Sequence, residues 1–155
     1  MFGLNFLTKY GGNSMTNIDV DRIFDGPAVI EDANVPWKDV FREDFHVIIY
    51  RDKFPVSEGH LLFVPRYNSI YILNDAFEDA VRYGKDQVTN QVWDGFNIGI
   101  NYGEAAGQTV MWPHVHLIPR KFGDVDNPRG GVRHVIPGKG NYHDPNLDNV
   151  KINKW

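Results

Sequence analysis

At 155 residues the chain is about one domain long, enough to build a single hydrophobic core. Its 42% apolar and 14% aromatic content excludes a disordered polymer, and a net charge of −4 with a pI near 5.8 argues against general attraction to nucleic acid. The lack of cysteine excludes disulfides, thiol catalysis and cysteine-based zinc sites.

Met1 to Ser14 carries Phe2, Leu4, Phe6 and Leu7 but has neither the basic start nor the cleavage site of a signal peptide. It ends in Gly11-Gly12-Asn13-Ser14, so we expect a flexible extension over residues 1–14, a folded domain over 15–140 and a C-terminal tail over 141–155. No apolar run approaches about 18 residues, so no transmembrane span is expected, and the cytoplasm is the expected location.

Phe45-His46-Val47-Ile48-Ile49-Tyr50 is rich in β-branched and aromatic residues and predicts a strand. Residues 51–59 form a connection, and His60 to Val64 predicts a second strand stopped by Pro65, the two making an antiparallel hairpin. Asn74-Asp75 predicts a helix cap, followed by Phe77, Ala80, Val81, Gly84 and Val88 on one helical face. Phe96 to Asn101 alternates as a third strand, with Asn97, Gly99 and Asn101 on one side. A Gly/Ala-rich loop, 102–107, leads into Gln108-Thr109-Val110-Met111-Trp112-Pro113-His114-Val115-His116-Leu117-Ile118. On a strand, His114 and His116 share one face and Pro113, Val115 and Leu117 take the other. Strand-strand-helix-strand-strand with short links predicts an α+β domain built on an antiparallel sheet. Beyond Arg120 the chain turns polar, and from Gly138 onward it is expected to wrap the surface or reach a partner subunit.

Two imidazoles side by side suit phosphoryl chemistry, general acid–base work or metal ligation. For the last, His60 could supply a third ligand to a zinc or iron ion bound by the His-x-His pair.

The surrounding residues resemble the histidine triad (HIT) family, whose signature is His-x-His-x-His-x-x. Gly107-Gln108-Thr109-Val110 leads into the histidine strand, and Ile118-Pro119-Arg120 closes it. Asp52-Lys53-Phe54-Pro55, Gly59-His60 and Val64-Pro65-Arg66 are similar to the family's nucleoside-binding strand pair. Asn101 to Gly107-Gln108 resembles the phosphate-side loop of its dinucleoside polyphosphate hydrolases, and Pro128 to Arg133 the tail of some bacterial members. The likeness spans roughly residues 40 to 120. It departs from the pattern at one point: Trp112 stands at the first triad position, followed by His114 and His116.

The resemblance implies a HIT-like fold, about five antiparallel strands packed with one main helix. It also implies a nucleotide hydrolase or nucleotidyl transferase working through a nucleotidyl-histidine on His114. His116 would donate to a non-bridging oxygen or protonate the leaving group, and Gln108 and Thr109 would offer donors to the phosphate. Asn101 would position phosphates, Asp52 would accept from ribose hydroxyls, and His60 would join the substrate site. The main-chain carbonyl of Trp112 would orient His114; read from its own chemistry, the Trp112 ring is either a stacking surface for a base or a plain packing residue. Arg129 and Arg133 are candidates for distal phosphates, with main-chain N–H groups of Gly130 and Gly131. No cofactor is required and no resident metal is expected, Mg2+ entering only with the substrate phosphates. The implied partners are a small nucleotide and a second copy of the chain, with neither nucleic acid nor membrane. The alternatives are a metal-binding protein and a nucleotide-binding module whose catalysis went with the first histidine. His46, His134 and His143 receive no role.

Overall fold

Two apolar runs occupy the middle of one sheet, and both of their faces are covered. The computed structural model describes residues 21–140, so the predicted extension (1–14) and tail (141–155) lie outside the described residues. Strands are β1 (Val40–Glu43), β2 (Val47–Arg51), β3 (Leu61–Pro65), β4 (Gly95–Gly99) and β5 (Val115–Arg120); helix α1 (Ile70–Thr89) falls between β3 and β4. The sheet order is β1-β2-β3-β5-β4, every neighbouring pair antiparallel. This is the expected α+β architecture, five antiparallel strands with one main helix.

The alternation of each strand divides its side chains between two layers. Val47, Ile49, Leu61, Phe63, Val115 and Leu117 pack under α1 against Leu73, Ala76 and Ala80, together with Trp93. Ile48, Tyr50, Leu62 and Val64 face the other way, onto Ile30, Trp112, Val35 and Trp37. Burial on both faces explains why β2 and β3 read as continuous apolar runs. Each fully buried large side chain, Phe63 or Leu117 for instance, stabilises the fold by roughly 1.5–3 kcal/mol.

The helix begins four residues before the predicted Asn74-Asp75 cap, with Ser69 as N-cap. Its buried stripe is Leu73, Ala76, Ala80 and Gly84; Phe77 and Val88 flank it, and Val81 is 39% exposed. At Gly84 an added Cβ would lie 2.8 Å from the Phe96 ring, so the glycine lets the helix sit directly on β4. The predicted strands are shifted at their ends: β2 starts at Val47 rather than Phe45, and β4 spans Gly95–Gly99 rather than 96–101. Strand β1 was not predicted. It is a short edge strand, mostly exposed, whose charged Arg42 and Glu43 break any alternation.

The segment before β1 is pinned across the second face by Asn68. Its Oδ1 accepts from the N–H groups of Ile23 (2.9 Å) and Phe24 (3.4 Å), and its Nδ2 donates to the carbonyls of Phe24 (2.8 Å) and Pro27 (3.2 Å). Asn68 is 4% exposed, so Asn68→Ala would strand these groups away from water. We expect the substitution to cost about 2–3 kcal/mol, read as a lower urea midpoint at unchanged slope.

Candidate active site

His114 sits one residue ahead of β5, held by the chain on both sides. Pro113 and Val115 are fully buried, and the preceding Trp112 is 2% exposed. The Trp112 indole donates through Nε1 to the carbonyl of Pro65 (2.8 Å) and meets Phe24 edge-on at 5.6 Å. With its ring in the core, Trp112 takes the packing role of the two expected and not the stacking one. Its carbonyl instead accepts from His114 Nδ1 at 2.9 Å. A carbonyl only accepts, so the proton resides on Nδ1 and Nε2 carries the lone pair. The ring of Trp37 lies 4.8 Å from that of His114, a contact with no local signal in the sequence.

A chain of imidazoles continues from there. The rings of His114 and His116 are 5.0 Å apart, and those of His116 and His60 are 5.3 Å apart. His60 Nδ1 accepts from the Val56 N–H at 3.4 Å, which places the His60 proton on Nε2, 3.1 Å from His116 Nδ1. His116 therefore accepts at Nδ1 and presents Nε2–H, buried and without a partner among the described residues. A buried donor left unpaired is costly unless a ligand completes it.

Burial lowers the pKa of all three rings, because it penalises the imidazolium. His116 is pushed down to about 4, by desolvation first and then by the neighbouring His114 and His60. At His60 the nearby Asp52 carboxylate, 3.6 Å from Nδ1, opposes the shift. The cluster is therefore neutral at pH 7.

The remaining predicted residues divide. Asp52 closes the turn after β2, its Oδ1 accepting from the Phe54 N–H (2.7 Å), and stands beside His60. Asn101, His60 and His116 line one cavity of about 780 Å³. Gln108 bonds within its own loop: Nε2 donates to the carbonyls of Val110 and Met111 (3.1 Å each), and Oε1 accepts from the Gly103 N–H (2.8 Å). It is a staple that shapes the loop before His114. Thr109 is exposed and lines a different cleft, with Ala33 and Val35. Arg129 and Arg133 are not among the cavity's walls; Arg133 Nε donates to the Gly140 carbonyl at 3.4 Å. The turn Gly131–Val135, which carries Arg133, instead brings Val132 and Val135 to the cavity.

Asp52, His60 and His116 each offer a ligand atom, all within 4.8 Å of one another. Two nitrogens and a carboxylate suit a borderline ion such as Zn2+, and the 3.1 Å between the imidazole nitrogens is close to the separation of two ligands on a tetrahedral zinc. No helix among the described residues is long and apolar enough to cross a membrane.

Strand order, helix placement and the histidine cluster together define a histidine triad type of domain, and comparison with known proteins agrees. Residues 34–123 match the family model described as HIT domain, and the chain belongs to that family. It is 35% identical over 112 residues to an uncharacterized HIT-like protein of Methanocaldococcus jannaschii, covering 63% of this chain and 86% of that one. It is 32% identical over 89 residues to the adenylylsulfatase HINT3 of Arabidopsis thaliana, covering 53% of this chain but only 45% of HINT3. Among solved structures, a Zn-bound histidine triad family protein from Mycobacterium smegmatis aligns with a TM-score of 0.51 at 28% identity, over 64% of this chain and 70% of that one.

Proposed function

We propose that the chain is a cytoplasmic nucleotide hydrolase or nucleotidyl transferase that cleaves nucleoside polyphosphates or nucleotide conjugates at the α-phosphorus. The observation that carries this reading is the bond from His114 Nδ1 to the Trp112 carbonyl, which leaves Nε2 as the nucleophile. A carbonyl does this whatever side chain it belongs to, so tryptophan at the first triad position preserves the orientation.

In the first step the Nε2 lone pair attacks phosphorus. The bond to the leaving group breaks, its electron pair departs with that group, and the group takes a proton from solvent. In the second step water attacks the same phosphorus, the P–N bond returns its pair to Nε2, and the water's proton passes to solvent. The net change is addition of water across the original bond. Neutral His116, a weak acid, acts by hydrogen bonding: its unpaired Nε2–H meets the charge growing on a non-bridging oxygen. Asp52 accepts from ribose hydroxyls and Asn101 holds phosphate oxygens in this reading. The similarity to HINT3, an adenylylsulfatase, supports an adenylyl conjugate as substrate. A second copy of the chain would extend the sheet along β4, whose one ladder neighbour among the described residues is β5. Acid-quenched protein mixed with substrate should carry one nucleotidyl group on His114; mass spectra free of adduct under single-turnover conditions would overturn the mechanism.

A second reading, a metal-binding protein, is favoured by the Asp52, His60 and His116 grouping. A zinc ion there would take the nitrogen that His60 bonds and disturb His116. We therefore expect added Zn2+ to inhibit turnover and a chelator to restore it. Turnover that instead requires Zn2+ would put the second reading in place of the first.

A further inference from the structure

A second cavity, of about 560 Å³, lies between the second half of α1 and the connection from β2 to β3. Phe41, Tyr83 and Trp93, which pack in the layer under α1, form its aromatic wall. The volume suits a small organic ligand. His60 is the one residue it shares with the cavity that contains His116.

The aromatic wall carries polar groups with nothing to bond. Trp93 is 8% exposed, yet its Nε1–H meets no acceptor among the described residues. A buried indole N–H usually finds one. The ring edge that bears it turns toward Gly59 in the cavity lining, with Nε1 3.9 Å from a Cβ built on that glycine. The Tyr83 hydroxyl and the Gln87 amide, also in the lining, are likewise without partners among the described residues.

The charge around this space leans to one sign. Asp39 is paired with Arg51 at 3.0 Å, and Asp124 with Arg120 at 2.6 Å. That leaves Asp52 and Glu58 against Lys121, whose Nζ donates to the Val92 carbonyl. The balance favours a cation over an anion. The wall already accepts one, since the Arg51 guanidinium carbon lies 4.9 Å from the centre of the Phe41 ring.

We propose that this cavity binds a small planar organic cation, an amidine or guanidine that also carries a neutral oxygen acceptor. The aromatic rings and Glu58 take the charge, while Trp93 Nε1–H and the Tyr83 hydroxyl donate to the oxygen. This binding needs neither His114 nor His116, so it stands or falls apart from the nucleotide chemistry.

The test is calorimetric titration with three molecules of one shape: 4-(hydroxymethyl)benzamidine, a cation at pH 7, the neutral 4-(hydroxymethyl)benzamide, and the anionic 4-(hydroxymethyl)benzoate. Wild type should bind the amidine about tenfold more tightly than the amide, with the benzoate weakest. Glu58→Gln should lower the amidine-to-amide affinity ratio about threefold. Trp93→Phe should weaken both by about fivefold and leave the ratio unchanged. Tyr83→Phe should do the same and replaces Trp93→Phe if that variant does not fold. His114→Ala should bind the amidine as wild type does. Failure of the amidine to bind at millimolar concentration, a benzoate bound as tightly as the amidine, or affinities unchanged in all three cavity variants overturns the site. Amidine binding lost in His114→Ala moves the cation to the histidine face, which also overturns it.

Discussion

Replacing His114 with alanine is expected to lower kcat/KM by at least about 10³-fold, equivalent to about 4 kcal/mol of transition-state stabilisation. The size follows from the role: without the imidazole there is no attacking nitrogen, and what remains is binding and the hydrogen bond from His116. Substrate affinity should change far less than turnover, so a calorimetric titration run beside the rate assay separates loss of chemistry from loss of fold. The adduct trapped in wild type should be absent from His114→Ala. Equal turnover by the two proteins would remove His114 as nucleophile, and tight binding without turnover in both would leave a nucleotide-binding module.

The second large effect is on stability in acid. His116 has an ordinary pKa of 6.5, which folding pushes down to about 4. The folded value lies below the unfolded one, so between these limits the unfolded chain binds more protons. The folded state is at full advantage above pH 6.5 and loses stability as pH falls toward 4. The depression from 6.5 to about 4 is worth at most about 3 kcal/mol for this one ring, and partial access of water reduces it. His60 and His114 act in the same direction through their own burial. Asp124, which Arg120 holds down to about 2, gives up its contribution only at still lower pH, so the two effects separate. Urea midpoints of chelator-treated protein at pH 7 and pH 4.5 should differ markedly, and His116→Asn should flatten the difference. An unchanged slope with pH in His116→Asn would place the acid sensitivity elsewhere.

How much of this could be read from residues alone depended on how local the cause was. The central strands were legible because Val47–Tyr50 and Leu61–Val64 are apolar whichever way they face, as strands buried on both sides must be. The pairing of His114 and His116 was legible from their spacing of two. Strand β1 was not, since Val40–Glu43 depends on its neighbour β2 more than on any pattern of its own. The helix start was missed because Ser69 caps it without a side-chain hydrogen bond and Ile70-Tyr71-Ile72-Leu73 resembles a strand in composition.

Within the site, sequence does not show where a side chain's bonding capacity is already spent. Gln108 has amide groups that any phosphate could use, but three main-chain groups of its own loop consume them. Trp112 has a large aromatic surface, but Phe24 and the Pro65 carbonyl hold it inside. Conversely, the contact of Trp37 with His114, and the cavity that Val132 and His116 both line, join segments far apart in sequence, which no periodicity announces.

The 4.8 Å contact between Trp37 and the candidate nucleophile has an optical consequence. An indole beside an imidazole senses that ring's charge, because an imidazolium accepts an electron from the excited state and quenches its emission. A nucleotidyl group on His114 makes the imidazole ring similarly electron-poor. If His114 is the nucleophile, the first turnover should therefore appear as a transient dip in tryptophan fluorescence, with the protein as its own unlabelled sensor and Trp37→Phe silencing the signal.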